Sequence, residues 1–213
     1  MTRDPRLPGR LLLAERDALL PVLRAAEPSA FALPTVLPGW CVRDVLAHCA
    51  AALTMAATDT LHDFGDEANA ADIAARADLP ISAVLDELEA GYAGAAEAIV
   101  ARGGAWDALA LGEWVHGGDV REAFGIGDAY ASAGIDDALT LLQERMAQPF
   151  RALPPTDVRL PDRELRLGAP DAAPAATLET DAATLMRLIA GRSPDPERYT
   201  LKGAAPQVYV TFH

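Results

Sequence analysis

Leu37-Pro38-Gly39-Trp40-Cys41-Val42-Arg43-Asp44-Val45-Leu46-Ala47-His48 is the stretch that decides how this chain reads. Pro38 and Gly39 interrupt regular structure, and from Val42 onward the apolar residues recur at helical spacing. Val42, Val45, Leu46, Cys49, Leu53 and Ala56 form one stripe, which predicts a helix over residues 42–64 with a buried face. His48 lies at the margin of that stripe, about 60° from Val45 at 3.6 residues per turn. Trp40 reads as a core plug fixing the start of the helix, and Arg43 and Asp44 as a pair in its first turn.

A second segment, Gly112-Glu113-Trp114-Val115-His116-Gly117-Gly118-Asp119-Val120-Arg121, sets another histidine in a helical pattern. Glu113 and His116 are three apart and share a face. Glu-x-x-His is the spacing of carboxylate-bridged metal sites in helical bundles. Two histidines and a carboxylate on packed helices can hold a divalent metal. Each residue also admits a plainer reading, as a core-edge histidine with a hydrogen bond or a solvated Glu one turn away. Asp119 can orient the His116 ring or pair with Arg43 or Arg121. Gly117 and Gly118 each cost a helix about 1 kcal/mol relative to Ala, so they imply close packing or room for a ligand.

Outward from these segments, residues 9–26 predict a helix, with Pro21 bending it or starting its second half. Residues 27–40 predict an extended connector, and the acidic, Ala-rich residues 65–79 a loop with a short helical piece. Further helices are expected over residues 81–101, 108–124 and 136–150. The third helix should face inward with Val84, Leu85, Leu88, Tyr92, Ala95 and Ile99. After Pro154-Pro155 the composition changes to short strand-like segments, 158–160, 165–167, 176–178, 199–201 and 208–212. A helix over 181–190 sits among them, with Asp181 as its N-cap. Two domains are expected: a helical bundle over 1–152, carrying the metal site, and a small α+β unit over 153–213 docked on it.

The 213 residues, 51% of them hydrophobic, are enough for a substantial core. Acidic residues outnumber basic ones 31 to 18, a net charge of −13. Such a surface repels nucleic acid and anionic membranes. No apolar run is long enough to span a bilayer, and the N-terminus does not read as a signal peptide. A soluble, cytoplasmic protein is expected. Cys41 and Cys49 are eight apart on one helix, about 12 Å along its axis, too far for a disulfide. Two free thiols without a catalytic role are expected.

Pro34-Thr35 and the stretch from Leu37 to His48 resemble the segment leading into the second helix of the DinB-like superfamily. More closely, they resemble the mycothiol-dependent maleylpyruvate isomerase family. Glu113, His116, Asp119 and Gly125 match that family's second signature, and Glu15-Arg16 and Ala190-Gly191-Arg192 also fit. The resemblance runs the length of the chain. It implies a mainly α fold, a DinB-like four-helix bundle with a small C-terminal α+β domain. It implies a divalent metal, usually Zn2+, held by His48, Glu113 and His116, with Asp119 behind the ring and Arg192 as the active-site arginine. The cofactor implied is mycothiol or another low-molecular-weight thiol. The activity implied is a metal- and thiol-dependent isomerase or transferase on a small, electrophilic, carboxylate-bearing substrate. The alternative is a non-catalytic DinB-like protein that binds a small ligand and has lost the metal. The expected assembly is a monomer or homodimer without nucleic-acid or membrane partners. Two departures stand out. The family's carboxylate precedes the second histidine by four residues, where this chain has Gly112. Glu113 is therefore rotated by about 100° around the helix axis. Cys41 stands where the family has a Ser or Thr cap.

Overall fold

Seven helices and four short strands make up the computed structural model, which describes residues 4–61, 65–147 and 153–211. The chain divides into two compact units between Gly134 and Ile135. The fold is mainly α with a small sheet.

In the first unit, α1 (Leu7–Ala25), α2 (Val42–Ala57), α4 (Ile81–Val100) and α5 (Asp107–Ala123) carry the core. α1 packs on α4 and α5, and α2 packs on the same two helices, so the four close into a ring. All six residues of the α2 stripe and all six of the α4 stripe are buried. Each large apolar side chain so buried contributes about 1.5–3 kcal/mol. α2 and α4 approach closely because Gly91 and Gly94 lack side chains. A Cβ on either would come within 2.8 Å of Leu53 or 2.7 Å of Ala57. α1 runs through Pro21 without ending.

Several expectations change here. α2 stops at Ala57 rather than near residue 64. The Thr58 hydroxyl donates back to the Thr54 carbonyl at 2.9 Å, and Asp59 takes φ +60°, which turns the chain out of the helix. Phe64 lies outside the described residues. The connector over 27–40 contains a 3-10 turn, Pro28–Ala32, and a bridge between Pro34 and Cys41. The segment 65–79, read as mostly loop, is a full helix, α3 (Asp66–Arg76). It has no fully buried residue, and its half-buried face, Ala68, Asn69, Asp72, Ile73 and Arg76, is mostly polar. Arg43 and Asp44 do not pair with each other. Arg43 donates to the carbonyls of Arg76 (2.9 Å), Ala77 (3.0 Å) and Leu79, tying down the end of α3. Asp44 accepts from the Cys41 backbone N–H at 2.9 Å and so helps to cap α2.

The second unit holds α6 (Ile135–Met146), β1 (Thr156–Arg159), β2 (Glu164–Leu167), β3 (Ala176–Thr180), α7 (Ala182–Ile189) and β4 (Tyr199–Lys202). The sheet order is β2-β1-β3-β4. β1 and β3 are parallel, and the outer strands β2 and β4 run antiparallel to their neighbours. α6 packs on β2 and so belongs with the sheet; its expected last turn falls partly on residues 148–150, outside those described. The Asp181 carboxylate caps α7, accepting from the Thr184 N–H at 2.9 Å. Leu178, Leu185, Leu188 and Ile189 are buried. Of the segment expected as a fifth strand, residues 208 and 209 belong to a 3-10 turn, Pro206–Tyr209, with Val208 44% exposed, residues 210 and 211 form no strand, and Phe212 lies outside the described residues. Pro206 has no N–H to give a ladder, and Tyr209 turns inward so that its hydroxyl meets that of Thr156 at 2.6 Å.

Candidate functional site

His48 and His116 face each other across the packed pair α2 and α5. Their ring centroids are 5.3 Å apart and their planes are nearly perpendicular, at 84°. Trp40 extends the row, with its ring 5.3 Å from that of His48. The two segments singled out in the sequence therefore meet at one point. Trp40 also lines a hollow of about 520 Å³ with Pro38, Asp44, Asp66 and Ile73. It is half-buried and serves as a wall rather than a plug.

His48 is only 8% exposed, and its Nδ1 is buried without a hydrogen-bond partner among the described residues. Burial, reinforced by the neighbouring His116, pushes its pKa down to about 3, so the ring is neutral and its lone pair is available. His116 is held from behind. Its Nδ1 lies 3.1 Å from Oδ2 of the fully buried Asp119. Tyr130, on the loop after α5, donates its hydroxyl to the other Asp119 oxygen. A carboxylate only accepts, so this contact sets the His116 proton on Nδ1 and leaves Nε2 free. Asp119 thus takes the orienting position, not a bridge to Arg43 or Arg121.

The two glycines have separate uses. A Cβ at Gly118 would fall 2.6 Å from the Tyr130 ring, and one at Gly117 would fall 1.7 Å from a Glu15 carboxylate oxygen. Both make room for side chains of the protein itself. Glu15 accepts from Arg121 at 2.7 Å in the interior. Burial pushes its carboxyl up to about 7 despite the Arg121 charge beside it.

Glu113 does not join the histidines in a shared cluster of donors. It is 2% exposed, and its carboxyl interacts with the Cys49 thiol. Its Oε2 is buried with no partner among the described residues. Burial pushes its pKa up to about 8, with nearby Glu15 adding to the effect and the Cys49 hydrogen bond opposing it. Burial, together with Glu113, holds the Cys49 thiol well above its ordinary range. Cys41 and Cys49 are both free thiols. Among the described residues, no three His, Cys, Asp or Glu side chains stand together as a metal-holding group. The two imidazoles suit a divalent ion as two of its donors, and Glu113 supplies no third.

Arg192 lies in the second unit, just past α7. Its Nη1 donates to the Ala190 carbonyl at 2.8 Å, and its backbone N–H closes onto Arg187. Sequence reading did not find Tyr130, the Glu15–Arg121 pair or the Cys49–Glu113 contact. The signal for the first two was present in Gly117 and Gly118, whose missing side chains mark where other groups enter.

No helix among the described residues is long and apolar enough to cross a membrane. No curated protein matches the sequence significantly. Two solved structures do match. They are crystal structures of the mycothiol-dependent maleylpyruvate isomerase and of its histidine-to-alanine mutant. Each is 18% identical, with a TM-score of 0.58, covering 97% of this chain and 98% of the other. At that identity the likeness is one of fold. The family model described as the mycothiol maleylpyruvate isomerase N-terminal domain matches residues 12–124, just over half of the chain, from within α1 through the histidine pair to the end of α5. By that match the chain belongs to the mycothiol maleylpyruvate isomerase N-terminal domain family.

Proposed function

We propose that this chain is a mycothiol-dependent isomerase or transferase acting on a small electrophile that bears a carboxylate, with maleylpyruvate as the first substrate to test. The observation that carries this reading is the approach of His48 and His116 to 5.3 Å in a chain of this family. His48 offers a buried, neutral ring and His116 a ring fixed through Asp119. A divalent ion at this pair would supply a positive charge that favours the thiolate form of the cofactor.

In the isomerase form of the reaction, the thiolate adds to the substrate's carbon–carbon double bond. A C–S bond forms, and the electron pair moves onto the conjugated carbonyl oxygen. Rotation about the resulting single bond follows. The electron pair then returns, the C–S bond breaks and the thiolate leaves unchanged. In the transferase form the adduct takes a proton and departs as a thioether. The protein's part is to hold the two rings together, His48 buried and His116 partly exposed, and to keep the proton of His116 on Nδ1. The hollow lined by Pro38, Trp40, Asp44, Asp66 and Ile73 offers space for a ligand beside Trp40, whose ring meets that of His48. Arg192 is the proposed partner for the substrate carboxylate, through paired guanidinium hydrogen bonds. We further propose that the protein acts in the cytoplasm, as a monomer or homodimer.

The second reading, a protein that binds a small ligand without turnover, is favoured by one observation. Among the described residues, the buried Glu113 forms no metal-holding group with the two histidines. One experiment separates the two. Purified protein is given maleylpyruvate with and without mycothiol, and the loss of the cis isomer is followed. Thiol-dependent turnover that is abolished by His48→Ala supports the enzyme. Binding of the thiol with no turnover, across a panel of electrophilic carboxylates, supports the binding protein.

A further inference from the structure

The loop that follows α5 turns back along the helix that it leaves. It starts at Gly125, with φ +69°, and tightens into a turn in which the Ala131 N–H donates to the Asp128 carbonyl at 2.8 Å. The Trp114 indole then donates to the Ala133 carbonyl at 3.0 Å. Gly134 packs so closely on α1 that a Cβ there would lie 2.9 Å from Leu11. The loop is thus fastened to α5 and α1 a few residues beyond Tyr130. The Tyr130 ring is 1% exposed and occupies the room that Gly118 leaves.

The Tyr130 hydroxyl donates to Oδ1 of Asp119, eleven residues earlier, and Oδ2 of the same carboxylate lies 3.1 Å from Nδ1 of His116. A carboxylate turns easily about its last side-chain bond, because that torsion has only broad, two-fold preferences. One hydrogen bond leaves such a turn open. Two, on different oxygens, fix the plane. The acceptor presented to His116 is therefore aimed from the loop.

We propose that Tyr130 is a positioning residue for His116: acting through Asp119, it fixes the imidazole in one orientation and one tautomer, with Nδ1 protonated and Nε2 unprotonated. Gly118 belongs to the same device, since a side chain there would displace the phenol. A ring held in one tautomer presents its Nε2 lone pair at all times, whereas a mixture presents it for only part of the time. The place of Tyr130 in turnover rests on the thiol-dependent reading above, in which His116 is one of the two working rings. The tautomer itself does not depend on that reading.

The test uses long-range 1H–15N NMR correlations of the imidazoles in metal-free, 15N-labelled protein. The chain has four histidines, and His116→Gln assigns the signals of His116. Spectra are taken at about pH 8, where an ordinary imidazole with a pKa of about 6.5 is neutral. Wild-type His116 should show a protonated Nδ1 and an unprotonated Nε2, with widely separated 15N shifts. Tyr130→Phe keeps the ring over Gly118 and removes the hydroxyl, and the two His116 shifts should move towards each other as the tautomers mix. The signals of His48 should stay in place. Gly118→Ala keeps the hydroxyl and moves the ring; it should give the same change in His116, and it carries the test should the Phe variant fail to fold. In the thiol-dependent reaction Tyr130→Phe should lower kcat by about tenfold with KM for the electrophile unchanged, the scale on which a partner behind a working histidine registers.

Unchanged His116 shifts in Tyr130→Phe would reduce the tyrosine to packing and overturn the proposal. So would a wild-type His116 protonated on Nε2. Shifts of His48 as large as those of His116 would show that the whole site had moved rather than one ring, and would overturn it too. Mixed tautomers with kcat unchanged would remove Tyr130 from the reaction. If no electrophile is turned over, the proposed activity falls and the NMR result alone decides the positioning.

Discussion

Glu15 of α1 accepts a hydrogen bond from Arg121 of α5 at 2.7 Å, across 106 residues of chain, and both side chains are buried. Gly117 is the reason the carboxylate can sit there, since a Cβ at that position would lie 1.7 Å from its oxygen. Gly117→Ala should displace the carboxylate and leave the guanidinium without its partner. The expected cost is about 3 kcal/mol or more, the range seen when one member of a buried pair is lost. Urea melts of Gly117→Ala, Glu15→Ala and the double variant form a cycle. With Glu15 gone, the alanine at 117 should cost far less. Additive costs would show that the methyl strains some other contact.

The same pair gives stability a pH dependence. Burial raises the Glu15 carboxyl to about 7 from an ordinary 4.5, with Arg121 pulling the other way. The folded chain therefore keeps a proton that the unfolded chain has already released. The contribution of Glu15 is fully present below about pH 4.5 and is lost as the pH rises through about 7. Glu15→Gln cannot titrate. Between about pH 5 and 8 the stability difference should move in favour of the Gln variant, by a few kcal/mol at most. His48, pushed down to about 3 by burial and by His116, acts in the opposite sense and cancels in the difference. Melts of both proteins at each pH give the curve; a flat difference would refute it.

α3 has no buried residue. It is held by polar ties: Arg43 on its final carbonyls, and Arg76 against Glu87 at 2.5 Å. Burial of apolar surface, the main source of helix stability in proteins, is slight here, with Ala68 and Ile73 only half-buried. Amide exchange should therefore be faster in α3 than in α2 or α4, and Arg43→Ala should speed it further while leaving α4 unchanged. Exchange followed by mass spectrometry reads all three helices at once. Equal protection in α3 and α4 would mean that something other than these ties holds it.

This helix also shows where the sequence stops being informative. α2 and α4 were legible because their apolar residues recur at the helical period and all of those positions are buried. The face that α3 half-buries carries Asn69, Asp72 and Arg76 beside Ala68 and Ile73, so an apolar period is weak there. The end of α2 was misplaced because Leu61 and Phe64 follow Ala57 at helical spacing in the sequence, whereas the fold-back at Thr58 and Asp59 ends the helix first. Val208-Tyr209-Val210 alternates as a strand would, yet Pro206 and the inward Tyr209 make it a turn. At the site, the histidine pair was legible because each ring sits in a recognisable local motif. Glu15 with Arg121, Cys49 with Glu113, and Tyr130 on Asp119 join distant parts of the chain or a loop, and no local spacing encodes them.

The two thiols should differ in reach. Cys49 is buried beside Glu113, and its thiol is held well above the ordinary range. Cys41 is only partly buried, with a more modest rise caused by burial and by Asp44. Reaction with a disulfide reagent needs both access and thiolate. Native protein should therefore release one equivalent of chromophore with Cys41→Ala abolishing it, and denatured protein should release two. Rapid labelling of Cys49 in the native state would mean that the core around Glu113 opens readily.

Three glycines stand in α5, and a scale of helix propensity ranks them alike, each an invitation to substitute alanine. Their neighbours separate them. At 117 and 118 a methyl group meets a carboxylate or a phenol ring, while at 112 it meets nothing. An engineer working from propensity would spoil the helix at two positions and improve it at the third. Gly112→Ala should raise stability by about 0.5–1 kcal/mol, as a freed helical position does when the unfolded chain loses freedom. The room at Gly112 therefore marks the one glycine in this helix where the protein has kept a looser backbone than its own packing demands.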